Sequence, residues 1–121
     1  MKIILYRGVK QPNLKGRVGK WWSTNPYYAF LYSNDGKNFF YCVMEKKYLN
    51  ENSLDVSLED NFDNYFFAKE DPSGIKLATH AQIKKLISYV TITPKISKRP
   101  GGDLFKPPQD PIAVGNAIFG V

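Results

Sequence analysis

Two short stretches carry the residue types best suited to holding a ligand. They are Arg7-Gly8, which closes the apolar run Ile3-Ile4-Leu5-Tyr6, and Ser23-Thr24, which follows Trp21-Trp22. A guanidinium is a planar fork of donors that keeps its charge, so an arginine at a strand end suits an anionic group. A glycine beside it lets the main chain come close to a ligand because no side chain intervenes. Tyr28 and Tyr32 add aromatic faces, and His80 and Gln82 add polar groups inside Leu77-Ala78-Thr79-His80-Ala81-Gln82-Ile83. His80 can be read as a general base or as a surface residue. Cys42 sits in the apolar run Phe39-Phe40-Tyr41-Cys42-Val43-Met44, where a lone cysteine reads as a small core hydrophobe rather than a nucleophile. With one cysteine and one histidine, no metal-ligand spacing exists.

The elements that must position these residues follow from patterning. Ile3 to Tyr6 reads as a central strand that delivers Arg7 at its end, and Gln11 to Gly19, with Pro12, Asn13, Gly16 and Gly19, carries loop chemistry. Lys20-Trp21-Trp22-Ser23 reads as a second short strand, with Trp21 and Trp22 on opposite faces and one of them in the core. Thr24-Asn25-Pro26 then supplies a capping oxygen and a proline at the first helical position, which predicts a helix from Pro26 to about Ser33. Asn34-Asp35-Gly36 stops it, and a strand from Asn38 to Glu45 follows. Between Leu49 and Gly74 the pattern weakens to a short strand and an irregular or helical insert. Ile75 to Ala78 reads as a strand, and the alternating Ser88 to Thr93 is the clearest strand signal in the chain. Between them, either Thr79 caps a short helix whose inner face is Ile83, Leu86 and Ile87, or the preceding strand continues to Ile83.

The chain of 121 residues fits one α+β domain with a small bent sheet. Its 43% hydrophobic content against 23% charged residues excludes a disordered chain. The predicted organisation is a domain over residues 1–94 and a Pro/Gly-rich arm over 95–121. Pro100, Gly101-Gly102, Pro107-Pro108 and Pro111 argue against regular structure in that arm. Its apolar end, with Ile112, Val114, Ile118 and Phe119, must dock on the domain, on a partner or on a second copy as a homo-oligomer contact. A single cysteine excludes an internal disulfide, and no apolar run is long enough for a signal peptide or membrane span. We therefore expect a cytoplasmic protein with no membrane partner. The net charge of +6 favours phosphate-rich partners without choosing among nucleotides, nucleic acid and anionic proteins.

Taken in order, Leu5-Tyr6-Arg7-Gly8, then Trp21-Trp22-Ser23-Thr24-Asn25-Pro26, then Ala29 and Tyr32, resemble the start of an ADP-ribosyltransferase of the arginine–serine–glutamate type. The resemblance covers about the first 33 residues and implies a split sheet and NAD as cofactor. It implies that Arg7 grips the pyrophosphate, that Gly8 lets the backbone meet the nicotinamide amide, and that Ser23 fixes the ribose. Thr24 braces the strand end and caps the helix, while Tyr28 or Tyr32 stacks on the nicotinamide. The acceptor of ADP-ribose is then a protein or a nucleic acid. Such an enzyme also needs a glutamate on a later strand, whose charge stabilises the oxocarbenium-like transition state. In the corresponding stretch this chain has Gln82 or His80, with Glu70, Asp71 and Glu45 as the nearby carboxylates.

Each motif also has an ordinary explanation: a surface arginine after a strand, and capping by Ser-Thr-Asn-Pro. Two further readings stand beside the transferase. One is a catalytically degenerate module that binds a nucleotide. The other is a small basic protein that binds nucleic acid or a partner protein through Trp21, Trp22, Lys20, Arg17 and Lys15, since aromatics among cations stack on exposed bases. Compact size and abundant Lys, Asn, Phe and Tyr would suit a mobile-element protein or a viral protein acting on a host target.

Overall fold

The structure, a computed structural model, describes residues 1–11, 20–55, 64–68, 71–92, 105–106 and 108–120. In chain order the elements are β1 (Lys2–Gly8), β2 (Trp21–Ser23), α1 (Pro26–Leu31), β3 (Phe39–Glu45), α2 (Lys46–Asn52) and β4 (Leu54–Asp55). Then come β5 (Asn64–Phe66), β6 (Lys76–Leu77), α3 (His80–Ser88), β7 (Thr91–Ile92), β8 (Phe105–Lys106) and α4 (Pro111–Phe119). Among the described residues, six strands form one open antiparallel sheet in the order β4-β5-β2-β1-β3-β6, and β7 pairs with β8 apart from it.

β1 is central because its apolar run can be buried on both faces. It pairs with β3 along its whole length, from Lys2 opposite Glu45 to Gly8 opposite Phe39. Alternation then divides the core in two. Ile4 and Tyr6 face one side with Phe39, where Tyr27 and Ala29 of α1, Ile83 and Leu86 of α3 and Phe119 of α4 cover them. Leu5, Cys42, Met44 and Trp22 face the other side, closed by Leu49 of α2 together with Tyr65 and Phe67. Trp22 is buried and Trp21 exposed, as alternation requires. Cys42 lies inside the second cluster, and burial pushes its thiol up to about 12.

Several elements depart from the sequence expectations. α1 is capped by Asn25 rather than Thr24, with Asn25 Oδ1 accepting from Tyr27 N–H at 2.9 Å and Tyr28 N–H at 3.4 Å. The helix ends at Leu31, because the buried Ser33 hydroxyl donates to the Phe30 carbonyl and Asn34, Asp35 and Gly36 all take positive φ. α2 was not expected; Leu49, fully buried, is the residue that anchors this polar helix. At residues 79–88 the helix prevails. A capping box joins Thr79 and Gln82, each backbone N–H bonded to the other's side chain, and Ile83 and Leu86 bury inward. That helix absorbs Ser88, so the strand expected from Ser88 to Thr93 shrinks to Thr91–Ile92, with Thr93 outside the described residues.

The expected extended arm contains regular structure, namely β8 and α4, while residues 93–104 lie outside the described set. Asp110 accepts from Ala113 N–H at 3.0 Å and Pro111 occupies the first turn, so α4 carries the start signals that the prolines upstream obscured. Phe119 is buried against the rings of Tyr6, Phe39 and Tyr41 at centroid distances of 5.4, 5.5 and 4.9 Å. The apolar run therefore docks on its own sheet. α4 approaches closely at Gly115, where an added Cβ would lie 2.2 Å from the Tyr6 hydroxyl oxygen and 3.2 Å from Pro26.

Two outcomes test this packing. Gly115→Ala gains up to about 1 kcal/mol of helix propensity but forces a methyl into a rigid ring, which costs about 1–3 kcal/mol. Net destabilisation is expected, read as a lower denaturation midpoint at unchanged slope; a stabilised variant would show that α4 is not seated on Tyr6. The Cys42 thiol should react with a soluble disulfide reagent at about pH 8 only as fast as the chain unfolds. Rapid labelling of the folded chain would contradict its burial.

Candidate functional site

β1 is held to β2 at a single residue pair, Tyr6 with Ser23, in contrast to its full ladder with β3. Beyond that pair the contact passes to a side chain, as Arg7 Nη1 donates to the Trp21 carbonyl oxygen at 2.6 Å. α1 lies over the same junction. Between them is a cleft of about 470 Å³, within the range of about 300–1,000 Å³ typical of small-molecule and cofactor sites.

The cleft gathers residues from four elements. β1 contributes Tyr6, Arg7 and Gly8, followed by Val9 and Lys10; β2 contributes Trp21, Trp22 and Ser23; α1 contributes Tyr28, Ala29 and Tyr32 at its end; and β5 contributes Asn64. Of the residues singled out from the sequence, Arg7, Gly8, Ser23, Tyr28 and Tyr32 are thus brought to one place.

Arg7 is half-buried. Burial pulls its guanidinium below the ordinary value, and the Asp71 carboxylate opposes that fall. Arginine keeps its charge throughout the working pH range, so Arg7 and Lys10 give this cleft a cationic rim. Arg7 Nε is buried without a hydrogen-bond partner among the described residues. Ser23 is nearly inaccessible, and its Oγ accepts from Asn25 N–H at 3.0 Å, which ties the end of β2 to the start of α1. Tyr28 and Tyr32 pack edge to face at 5.3 Å, and Tyr32 is about half exposed at the mouth. Trp21, also exposed, packs on Phe66 at 4.8 Å.

Gly8 acts differently from the expectation. A Cβ there would fall 1.8 Å from the Ala29 carbonyl oxygen and 2.9 Å from Ser33 Cβ. Its missing side chain therefore admits the helix that roofs the cleft, so any larger residue would move α1 itself. The adjoining wall is pinned by Asn38, whose side-chain amide donates to the Lys10 carbonyl at 2.8 Å and whose carbonyl accepts from Val9 N–H at 3.2 Å.

Three expected members lie elsewhere. Thr24 is buried and does not line the cleft. Gln82 sits on α3 rather than on a later strand, with its Oε1 committed to Thr79 N–H at 2.8 Å. His80 is exposed at the start of the same helix, which follows the edge strand β6 on the far side of β3. Neither lines the cleft. Of the carboxylates, Glu45 lies at the opposite end of β1 from Arg7, bonded to the N-terminal ammonium at 3.1 Å, and Glu70 lies outside the described residues. Asn64 was missed because it precedes Tyr65-Phe66-Phe67 in a stretch whose polar flanks hide a three-residue strand; the aromatic cluster was the available signal.

Among the described residues, no group of three His, Cys, Asp or Glu could hold a metal ion, and no helix is long and apolar enough to cross a membrane. Comparison of the chain with protein-family models, with curated proteins and with solved structures finds no match.

Proposed function

We propose that the α1 cleft binds NAD or a related nucleotide in an arrangement like that of the ADP-ribosyltransferases. The observation that carries this reading is the convergence of Arg7, Ser23, Tyr28 and Tyr32 on one cleft, residues chosen from the sequence for a pyrophosphate, a ribose and a flat ring. The chemistry suits each part. Arg7 and Lys10 supply positive charge at the rim for phosphate oxygens. Tyr28 and Tyr32 offer ring faces and edges at the mouth, where stacking on a planar base is worth about 0.5–1.5 kcal/mol beyond burial. Ser23, held by Asn25, offers a hydroxyl in a fixed place.

A protein or nucleic-acid acceptor would meet the ligand at the open mouth, where Trp21 and Tyr32 are exposed. One observation favours the degenerate-module reading over turnover: the described lining holds cations, hydroxyls, rings and an amide, but no carboxylate.

Calorimetric titration of NAD and ADP-ribose into the chain, with a nicotinamide-release assay on the same samples, tests the proposal. Binding is expected, with Arg7→Ala weakening it by about 10- to 100-fold, the loss of one charge-assisted contact. Arg7→Lys, which keeps charge but not the fork, should fall between. Denaturation midpoints separate loss of binding from loss of the bond to Trp21. Binding with release identifies a transferase, and binding without release a nucleotide-holding module. No binding by the unsubstituted chain would sink the nucleotide reading and turn attention to single-stranded nucleic acid on Trp21 and Lys20.

A further inference from the structure

We propose that Asn64 is the residue that reads the ribose of the nucleotide, opposite Ser23, and that its neutral amide makes the cleft hold an NAD-type ligand without cleaving it. This rests on the nucleotide reading of the cleft and deepens it.

The β2–β5 register places Trp21 opposite Phe66, Trp22 opposite Tyr65 and Ser23 opposite Asn64. Trp22 and Tyr65 both point into the second core cluster, so Ser23 and Asn64 share the other face, and both line the cleft. Directly opposed residues in an antiparallel pair hold their Cβ atoms about 4.5–5.5 Å apart. A hydroxyl and an amide at that separation match neighbouring hydroxyls on one sugar ring. Ser23 Oγ accepts from Asn25 N–H, which fixes its position at the end of β2, and a hydroxyl and an asparagine amide can each donate and accept. Ser23 is also the residue paired with Tyr6, one position before Arg7, so the sugar-reading pair lies beside the phosphate-gripping cation.

The same position decides the chemistry. Breaking the bond between ribose C1′ and the nicotinamide nitrogen leaves positive charge on C1′ and the ring oxygen, and a carboxylate beside the sugar stabilises it. An amide offers only a dipole. Asparagine and aspartate have nearly the same shape, so Asn64→Asp puts a full charge where the amide stands, and Asn64→Glu extends its reach. In such a variant the C1′–N bond breaks with its electron pair leaving on nicotinamide. Water adds its oxygen to C1′ and releases a proton, giving ADP-ribose, nicotinamide and H⁺.

The test is titration of NAD, and of its analogue lacking the 2′-hydroxyl of the nicotinamide ribose, into the unsubstituted chain and Asn64→Ala, with nicotinamide release followed for both and for Asn64→Asp and Asn64→Glu. The unsubstituted chain should prefer NAD by about tenfold, the effect of one hydrogen bond lost with its partner left unpaired, and should release no nicotinamide. Asn64→Ala should bind both ligands alike, and at least one acidic variant should release nicotinamide. The assignment is overturned if Asn64→Ala keeps the preference, if the unsubstituted chain itself releases nicotinamide, or if both acidic variants bind NAD and release none. In each of those cases NAD binding weakened by Arg7→Ala leaves the nucleotide reading standing. Absence of NAD binding by the unsubstituted chain removes both together.

Discussion

β1 is bonded along its full length on one side and at one residue pair on the other, and the remainder of the molecule is arranged around that asymmetry. On the β3 side the ladder satisfies backbone groups and aligns two alternating sets of side chains, which become two cores. On the β2 side the ladder stops after Tyr6, Arg7 takes over the contact through its side chain, and α1 crosses above. A sheet that opens beneath a helix leaves a cleft, and this one lies at the end of β1, just beyond its buried Ile4, Leu5 and Tyr6. Gly8 is the condition for that crossing, since the Ala29 carbonyl occupies the space a side chain would need.

The aromatic node on the first face links the chain's two ends. Tyr6 and Phe39 belong to the central ladder, Tyr27 to α1 and Phe119 to the last turn of α4, and all four are buried together. Tyr27 donates its hydroxyl to the Leu86 carbonyl at 2.9 Å, which ties α1 to the end of α3, and burial is the main reason its ionisation is pushed up to about 12. Tyr6 belongs both to this node and to the residues lining the cleft, and α4 is seated against its hydroxyl at Gly115. A ring packed on several sides can shift only by displacing its neighbours.

The chemical character of the cleft follows from which residues the sheet and helix turn toward it. Cations come from the end of β1, rings from α1 and β2, and a hydroxyl and an amide from the opposed pair on β2 and β5. That combination suits an anionic ligand with a planar group and a polyol between them. Of the carboxylates, Asp71 stands outside the lining but close enough to act on Arg7, and Glu45 lies at the other end of the ladder.

The sequence alone determined the parts of this protein that depend on near neighbours. The branched apolar run marked β1, Asn-Pro marked the start of α1, Asn34-Asp35-Gly36 marked its stop, and Trp21-Trp22 announced one face in and one out. Arg7, Ser23, Tyr28 and Tyr32 were legible as a set because strand–loop–strand–helix order places them within one short stretch. Tertiary structure decided what depends on distant partners. A capping box and two buried side chains turned Gln82 into a helix cap, and the same helix overrode the β alternation of Ser88 and Tyr89. The apolar end of the chain signalled that it must dock, but the rings of Tyr6, Phe39 and Tyr41 decided where Phe119 is buried, and the prolines upstream hid the helix that carries it. Asn64 became part of the cleft only because β5 pairs with β2, bringing Asn64 opposite Ser23 at a sequence separation of 41, and strand register is a long-range property that local propensity does not encode.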